Sequence, residues 1–161
     1  MSAQLGPKID KVRLRNYVLP VAVSNLTDFF DVPKGDEDTR VVYNGASSGL
    51  NEALWAPGFF LPIADFASRL SMCHSFTVDA DKGEMFLNFP MDPLIRPFAG
   101  VDLAGARDCL TDPSLKGSQM LERWERLFMG MKSSPCNSVR YFHWAEEFGR
   151  GNPLDEGNAL R

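Results

Sequence analysis

The run Asp81-Lys82-Gly83-Glu84-Met85-Phe86-Leu87-Asn88-Phe89-Pro90-Met91-Asp92, with Arg96 shortly after it, gathers the residues of this chain best suited to chemistry. It grows out of Phe76-Thr77-Val78-Asp79-Ala80-Asp81, where strict alternation predicts a strand with Phe76, Val78 and Ala80 on one face and Thr77, Asp79 and Asp81 on the other. Asp81 is then a carboxylate at a strand tip, followed by a glycine turn and the Phe86 ring. Such a carboxylate is an oxygen ligand for a hard divalent cation, or it is a turn former facing water. Spacing alone leaves both readings open. Asp79, on the same face, tunes the site in the first case and is a solvated or salt-bridged acid in the second.

Other elements must hold this run in place. Leu26 to Pro33 is rich in Phe and Val, Lys34-Gly35-Asp36-Glu37-Asp38 supplies turn residues, and Thr39-Arg40-Val41-Val42-Tyr43 is β-prone again, which predicts a β-hairpin. Ahead of it, Lys8 to Leu19 sets Lys8, Lys11, Arg13 and Arg15 against Ile9, Val12, Leu14 and Tyr17, a pattern that fits a short helix or an extended lead-in. Its four cations either touch a nucleic-acid backbone or form a solvated face. Leu61 to Arg69 has the apolar spacing of a brief helix after Pro62, with Asp65 and Ser68 on its polar side. Phe98 to Leu103 and Arg123 to Met129 read as two further strands, separated by a long loop containing Gly105, Asp112, Pro113 and Gly117. Ser134-Pro135 predicts a helix start, the serine as N-cap and the proline at the first helical position. Tyr141, Trp144, Ala145 and Phe148 form one apolar stripe before Gly149, and the polar tail from Arg150 reads as loose.

With 44% hydrophobic residues among 161, the chain can bury a sizeable core and lacks the composition of a disordered segment. Its 17 Lys+Arg against 21 Asp+Glu give a net charge of -4, which is not the bulk basicity of a nucleic-acid binder, although a site built to hold metal ions is itself locally acidic. Cys73, Cys109 and Cys136 are widely spaced and make no CxxC pair, which argues against a disulfide framework or a zinc knuckle. Cys73 adjoins His74, yet neighbours on a strand face opposite ways and no acid is placed to orient the imidazole, so a buried thiol is expected. Prolines interrupt every long apolar stretch and no basic region precedes an apolar run at the start. Neither a signal peptide nor a membrane span is visible, and an intracellular setting, cytoplasm or nucleus, is the expectation.

Taken whole, the run from Asp81 to Arg96 resembles the first catalytic motif of reverse transcriptases from retroviruses and long-terminal-repeat retrotransposons, with Asp81, Gly83, Glu84, Phe86, Phe89-Pro90-Met91-Asp92 and Arg96 in one register. Upstream, Val32 to Tyr43 resembles that family's fingers hairpin, where a Lys and an Arg flank a turn, and Gly49-Leu50-Asn51 resembles the Leu-Asn that closes it. Downstream, Gly130-Met131-Lys132-Ser133-Ser134-Pro135 resembles the Gly-x-Lys-x-Ser-Pro motif that opens the palm helix. The motifs fall in the family's order over roughly residues 26 to 148.

The resemblance implies an α+β fold: a fingers hairpin packed on part of a ferredoxin-like palm over 26–149, with a lead-in at 1–25 and a polar tail at 150–161. It implies an RNA-directed DNA polymerase, a nucleotidyltransferase acting on deoxynucleoside triphosphates and an RNA or DNA template-primer. Asp81, helped by the backbone carbonyl of Lys82, would ligate two Mg²⁺ ions, or Mn²⁺ in their place, that activate the primer 3′-hydroxyl and neutralise the departing pyrophosphate. Lys34 and Arg40 would close on the triphosphate, the first as a point charge and the second through bidentate contacts. Glu84 and Met85 would present backbone N–H groups to phosphate and sugar. Phe86 would lie under the deoxyribose and collide with a ribose 2′-hydroxyl. Gly130 to Pro135, with Lys132 among them, would line the nucleotide and template side.

Several features depart from the family pattern. The interval from Arg40 to Asn51 is longer than usual, Asn44 stands where an aspartate is typical, Met129 stands where many relatives carry Gln or Phe, and the loop from Leu103 to Arg123 is long. The family's second catalytic motif is a pair of adjacent aspartates on a tight hairpin, and no Asp-Asp occurs in this sequence; Asp36-Glu37-Asp38 is the nearest imitation and lies before Asp81. The expectation is therefore a fragment that stops short of the rest of the palm and the thumb and is inactive alone. A different class of reading is a non-catalytic remnant that serves as a nucleic-acid or protein interaction module. A third, a metal hydrolase built on Asp79 and Asp81, finds no His or acid cluster to complete it.

Overall fold

The alternation of cations and aliphatics at the start resolves as helix α1 (Leu5–Leu14), because Leu5 and Ile9 recur one turn apart and are both buried. This is a computed structural model that describes residues 5–35, 38–59, 74, 83–117, 119–152 and 154–158. The helix expected over Leu61–Arg69 and the strand expected over Phe76–Asp81 lie outside those residues, as do Cys73, Asp79, Asp81 and Lys82. Asn16 then takes a left-handed backbone (φ 53), a conformation asparagine tolerates, and turns the chain into β1 (Val18–Leu19).

The expected hairpin is present as β2 (Leu26–Lys34) and β3 (Asp38–Asn44), antiparallel with Lys34 opposite Asp38 and Val32 opposite Arg40. A very short helix, α2 (Leu50–Ala53), follows. Farther along come β4 (Gly100–Asp102), the one-turn helix α3 (Pro113–Lys116), β5 (Leu121–Trp124) and the long helix α4 (Ser134–Arg150). The strands form one mixed sheet in the order β1-β5-β4-β2-β3, with β2 parallel to β4 and the other pairs antiparallel. The architecture is thus α+β. Among the described residues no helix is long and apolar enough to cross a membrane.

An aromatic cluster forms the centre of the core. Tyr43 stands edge-on to Trp124 at 4.7 Å and to Phe128 at 5.7 Å between ring centres, and Leu5, Ile9, Met91, Val101 and Leu103 close around them. Burial pushes the Tyr43 phenol well above its usual range, with the nearby Glu122 carboxylate adding to the effect.

Several expectations need correction. The strand expected over Arg123 to Met129 starts and ends earlier, at Leu121–Trp124, because its buried face alternates through Glu122 and Trp124. Beyond it the chain leaves the ladder: Glu125 N–H donates to the Tyr17 carbonyl at 2.9 Å, and Leu127 N–H to the Phe89 carbonyl at 3.0 Å. The long loop carries a 3₁₀ turn (Ala104–Cys109) and α3, whose N-cap Asp112 accepts from Ser114 N–H at 2.9 Å. The N-cap of α4 is Ser133 rather than Ser134, which puts Pro135 second in the helix. The Ser134 hydroxyl instead donates back to the Phe128 carbonyl at 2.9 Å, fastening the helix start to the core. The helix also runs through Gly149, and the tail folds back on it, with Asn158 Nδ2 donating to the Arg150 carbonyl at 2.6 Å. Of the cysteines, Cys136 is buried and Cys109 half-buried, both as free thiols.

Candidate functional site

The basic row of α1 is engaged with acids of other elements, while Lys8, Lys11 and Arg15 stay partly exposed. Lys8 pairs with Asp38 at 2.7 Å and also donates to the Thr39 carbonyl, Lys11 pairs with Glu84, and Arg15 pairs with Glu84 at 2.6 Å. Arg13 points the other way and meets buried Glu122 at 2.7 Å. Lys8, Lys11 and Arg15 share one face, and the rise of a helix separates the first from the last by about 10 Å. One end of α1 therefore grips the tip of the β2–β3 hairpin and the other grips the turn after Gly83. The lysine hydrogen bonds are the main reason that both acids, Asp38 with Lys8 and Glu84 with Lys11, are held below the usual carboxylate range.

On the hairpin, Arg40 and Lys34 are exposed on its outer face, diagonal neighbours across the ladder through the Lys34–Asp38 and Arg40–Val32 pairs. At the turn, Glu84 has a left-handed backbone (φ 55, ψ 36) and its carboxylate faces α1, with the Tyr17 hydroxyl 3.4 Å away. Met85 opens a 3₁₀ turn (Met85–Asn88), where the first N–H groups have no partner within the turn itself. The Asn88 amide closes that turn by donating to the Gly83 and Glu84 carbonyls at 3.2 and 3.0 Å. Phe86 is half-buried and packs against the core cluster.

The remaining candidates lie at the other end of β3. Gly130 has φ 106 and lies so close to Tyr43 that a Cβ there would sit 1.7 Å from the Tyr43 carbonyl oxygen. Asn51 joins both sides of this contact: its Nδ2 donates to the Gly130 carbonyl at 2.9 Å and its Oδ1 accepts from Lys132 N–H at 2.7 Å. The Lys132 ammonium reaches the Leu54 carbonyl at 3.3 Å. Segments some eighty residues apart thus share one amide. Asn51→Ala removes both bonds and is expected to cost about 1–3 kcal/mol, read as a shift in urea midpoint, with Asn51→Asp losing the donor half. A change below a few tenths would mean that the amide does not join the two segments.

Behind that junction opens a cleft of about 510 Å³, floored by Met91, Leu127, Met131 and Cys136 and edged by Asp92, Asn137 and Arg140. The Ser133 hydroxyl, which also lines it, is buried and makes no hydrogen bond among the described residues. Sequence reading missed this cleft and the pairing of α1, since neither leaves a local motif.

Asp81 and Lys82, the residues the resemblance assigns to metal, lie outside the described residues. Among the described residues no group of three or more His, Cys, Asp or Glu could hold a metal ion. The nearest described carboxylate along the chain, Glu84, is already engaged by Lys11 and Arg15. Glu84 is therefore not a spare oxygen ligand for a divalent cation. No protein-family model matches the chain, and no curated protein is significantly similar to it.

Proposed function

We propose that this chain is a fingers and partial palm unit of a reverse-transcriptase-like nucleotidyltransferase, which binds a nucleoside triphosphate and a template-primer. One observation carries the reading. The three sequence segments that resemble the family's motifs, far apart in the chain, are linked through α1 and β3: the hairpin and the Glu84 turn each pair with α1 through Lys8, Lys11 and Arg15, and the hairpin meets Gly130–Lys132 through Tyr43 and Asn51. The Glu84 run also meets α4 two turns into the helix, where Phe89 stacks on Tyr141 at 5.0 Å. Lys34 and Arg40 are then the exposed cations for a triphosphate, while Met85 N–H and Phe86 stand at the sugar. Asp81, and the Mg²⁺ it would help to hold, belong to the same proposal.

The test is binding rather than turnover, because one aspartate without the adjacent pair cannot hold two Mg²⁺ ions for in-line transfer. Primer extension by the 161-residue chain is expected to be absent. A deoxynucleoside triphosphate should nevertheless bind at low salt, and Arg40→Ala and Lys34→Ala should each weaken it by roughly ten- to a hundredfold, since a charged hydrogen bond contributes about 1.5–3 kcal/mol. Binding that ignores both substitutions, or measurable extension, would overturn the proposal. The reading as a non-catalytic interaction module is favoured by a different observation, the exposed aromatic residues of α4.

A further inference from the structure

From Tyr141 to Arg150 every residue of α4 is exposed, although Tyr141 rests one face of its ring on Phe89 at 5.0 Å and Phe142 meets the Phe89 ring edge-on; beyond them the helix stands clear. Over that length the helix carries Tyr141, Trp144, Ala145 and Phe148, the spacing of a single stripe, with the three rings 51%, 65% and 78% exposed. Trp144 and Phe148 stack on each other at 5.7 Å rather than on the body of the protein. Arg140 and Glu147, seven residues apart and hence on the same flank of the stripe, make no ion pair among the described residues, whereas Glu146 is paired with Arg150 and lies 3.7 Å from His143. Glu147 also stands in the last turn, where the helix dipole disfavours an anion.

We infer that α4 is a self-association surface, pairing antiparallel with the same helix of a second copy. A twofold axis between Trp144 and Ala145 places Tyr141 opposite Phe148 of the second copy and sets each Trp144 against the small Ala145. In an antiparallel pair equal flanks face each other. Arg140 then lies within about 3 Å along the axis of Glu147 of the second copy, and the contact repeats by symmetry. Both free charges of the flank are satisfied and the acid at the helix end gains a cation. The rings and their neighbours would bury roughly 500 Å² per copy, so about 1,000 Å² in all, the lower bound for a specific interface. The dimer is accordingly a weak one, with a Kd of roughly 1–100 µM. The pairing does not depend on nucleotide binding and stands or falls apart from it.

Sedimentation velocity of the full chain over ~1–300 µM, a range that brackets the expected Kd, should show the mass rise from one copy to two. Arg140→Glu or Glu147→Arg should weaken association by at least about tenfold, and Arg140→Glu with Glu147→Arg should restore it. Phe148→Ser should abolish it while leaving the far-ultraviolet spectrum unchanged. A monomer throughout, or a double variant no tighter than the singles, would sink the proposal. So would iodide failing to quench Trp144 in the monomer, measured against Trp144→Phe, which would mean that the chain covers its own stripe. A Trp144 signal that answers to a nucleic-acid duplex and not to protein concentration would overturn it in favour of another occupant.

Discussion

Arg13→Ala is expected to destabilise the protein by roughly 3–5 kcal/mol, the usual cost of leaving one member of a buried ion pair alone. Arg13 is 8% exposed and Glu122 1%, and the guanidinium does more than neutralise the acid. Its Nε donates to Glu122 Oε1 at 2.7 Å, its Nη1 to the Leu115 carbonyl and its Nη2 to the Gln119 carbonyl, both at 3.0 Å. One side chain thereby fastens α1 to β5 and to the segment before it. Without Arg13, Glu122 is an uncompensated charge beside Trp124 and Tyr43.

The pH dependence follows from Glu122. Burial already raises its carboxyl above the usual value, outweighing the opposing pull of Arg13, and removing the guanidinium raises it further. An acid whose folded pKa lies above its unfolded one costs nothing while both states are protonated, and the penalty develops as pH rises from the unfolded value through the folded one. The deficit of Arg13→Ala against the parent should therefore shrink on acidification. Asp38 and Glu84, held below the usual range, act in the opposite sense, since stability present above the unfolded pKa is lost as pH falls through the folded one. Their contribution cancels in the difference between variant and parent. Urea melts at neutral and mildly acidic pH measure it, and a deficit independent of pH would mean that Glu122 carries no such charge. Arg13→Met with Glu122→Leu should recover most of the loss.

Glu122 also shows why part of the fold was legible and part was not. The hairpin could be read because its signals are local: alternation in Val41 to Tyr43, and a turn of Gly and Asp between two β-prone runs. β5 was misplaced because a glutamate at a buried position looks like an outward residue, and only an arginine 109 positions away makes it an inward one. The pairing of the α1 cations is hidden for the same reason. Their row is visible in sequence, but the acids that answer it, Asp38 and Glu84, sit in turns of other elements. Serine before proline fits a cap, but the Ser134 hydroxyl bonds a core carbonyl instead. Among the candidate site residues, the Gly130 carbonyl and the Lys132 N–H are both held by Asn51, whose partners lie some eighty positions away and leave no local signal. The stripe on α4 was legible as a stripe. Periodicity gives an apolar face its direction but not what meets it.

Gly130→Ala should be the most disruptive small substitution outside the core, costing at least about 3 kcal/mol. Two independent penalties meet at this position. A φ of 106 is one that L side chains rarely adopt, and the added Cβ would fall 1.7 Å from a backbone oxygen of Tyr43, which has no rotamer through which to escape. Relief requires the β3 end and the start of α4 to separate, and that separation breaks the Tyr43 N–H bond to the Met129 carbonyl at 3.0 Å together with both Asn51 bonds. It also draws Tyr43 away from Trp124 and Phe128, so the damage reaches the aromatic core. Gly117→Ala is the control: nothing lies within 4 Å of its Cβ position and its φ is -85, so alanine there should be nearly neutral. Denaturant midpoints of the two variants test the contrast, and hydrogen exchange at Tyr43 locates it. If Gly130→Ala melts like Gly117→Ala, β3 and α4 do not meet at this glycine, and the contact that unites the candidate site is lost with it.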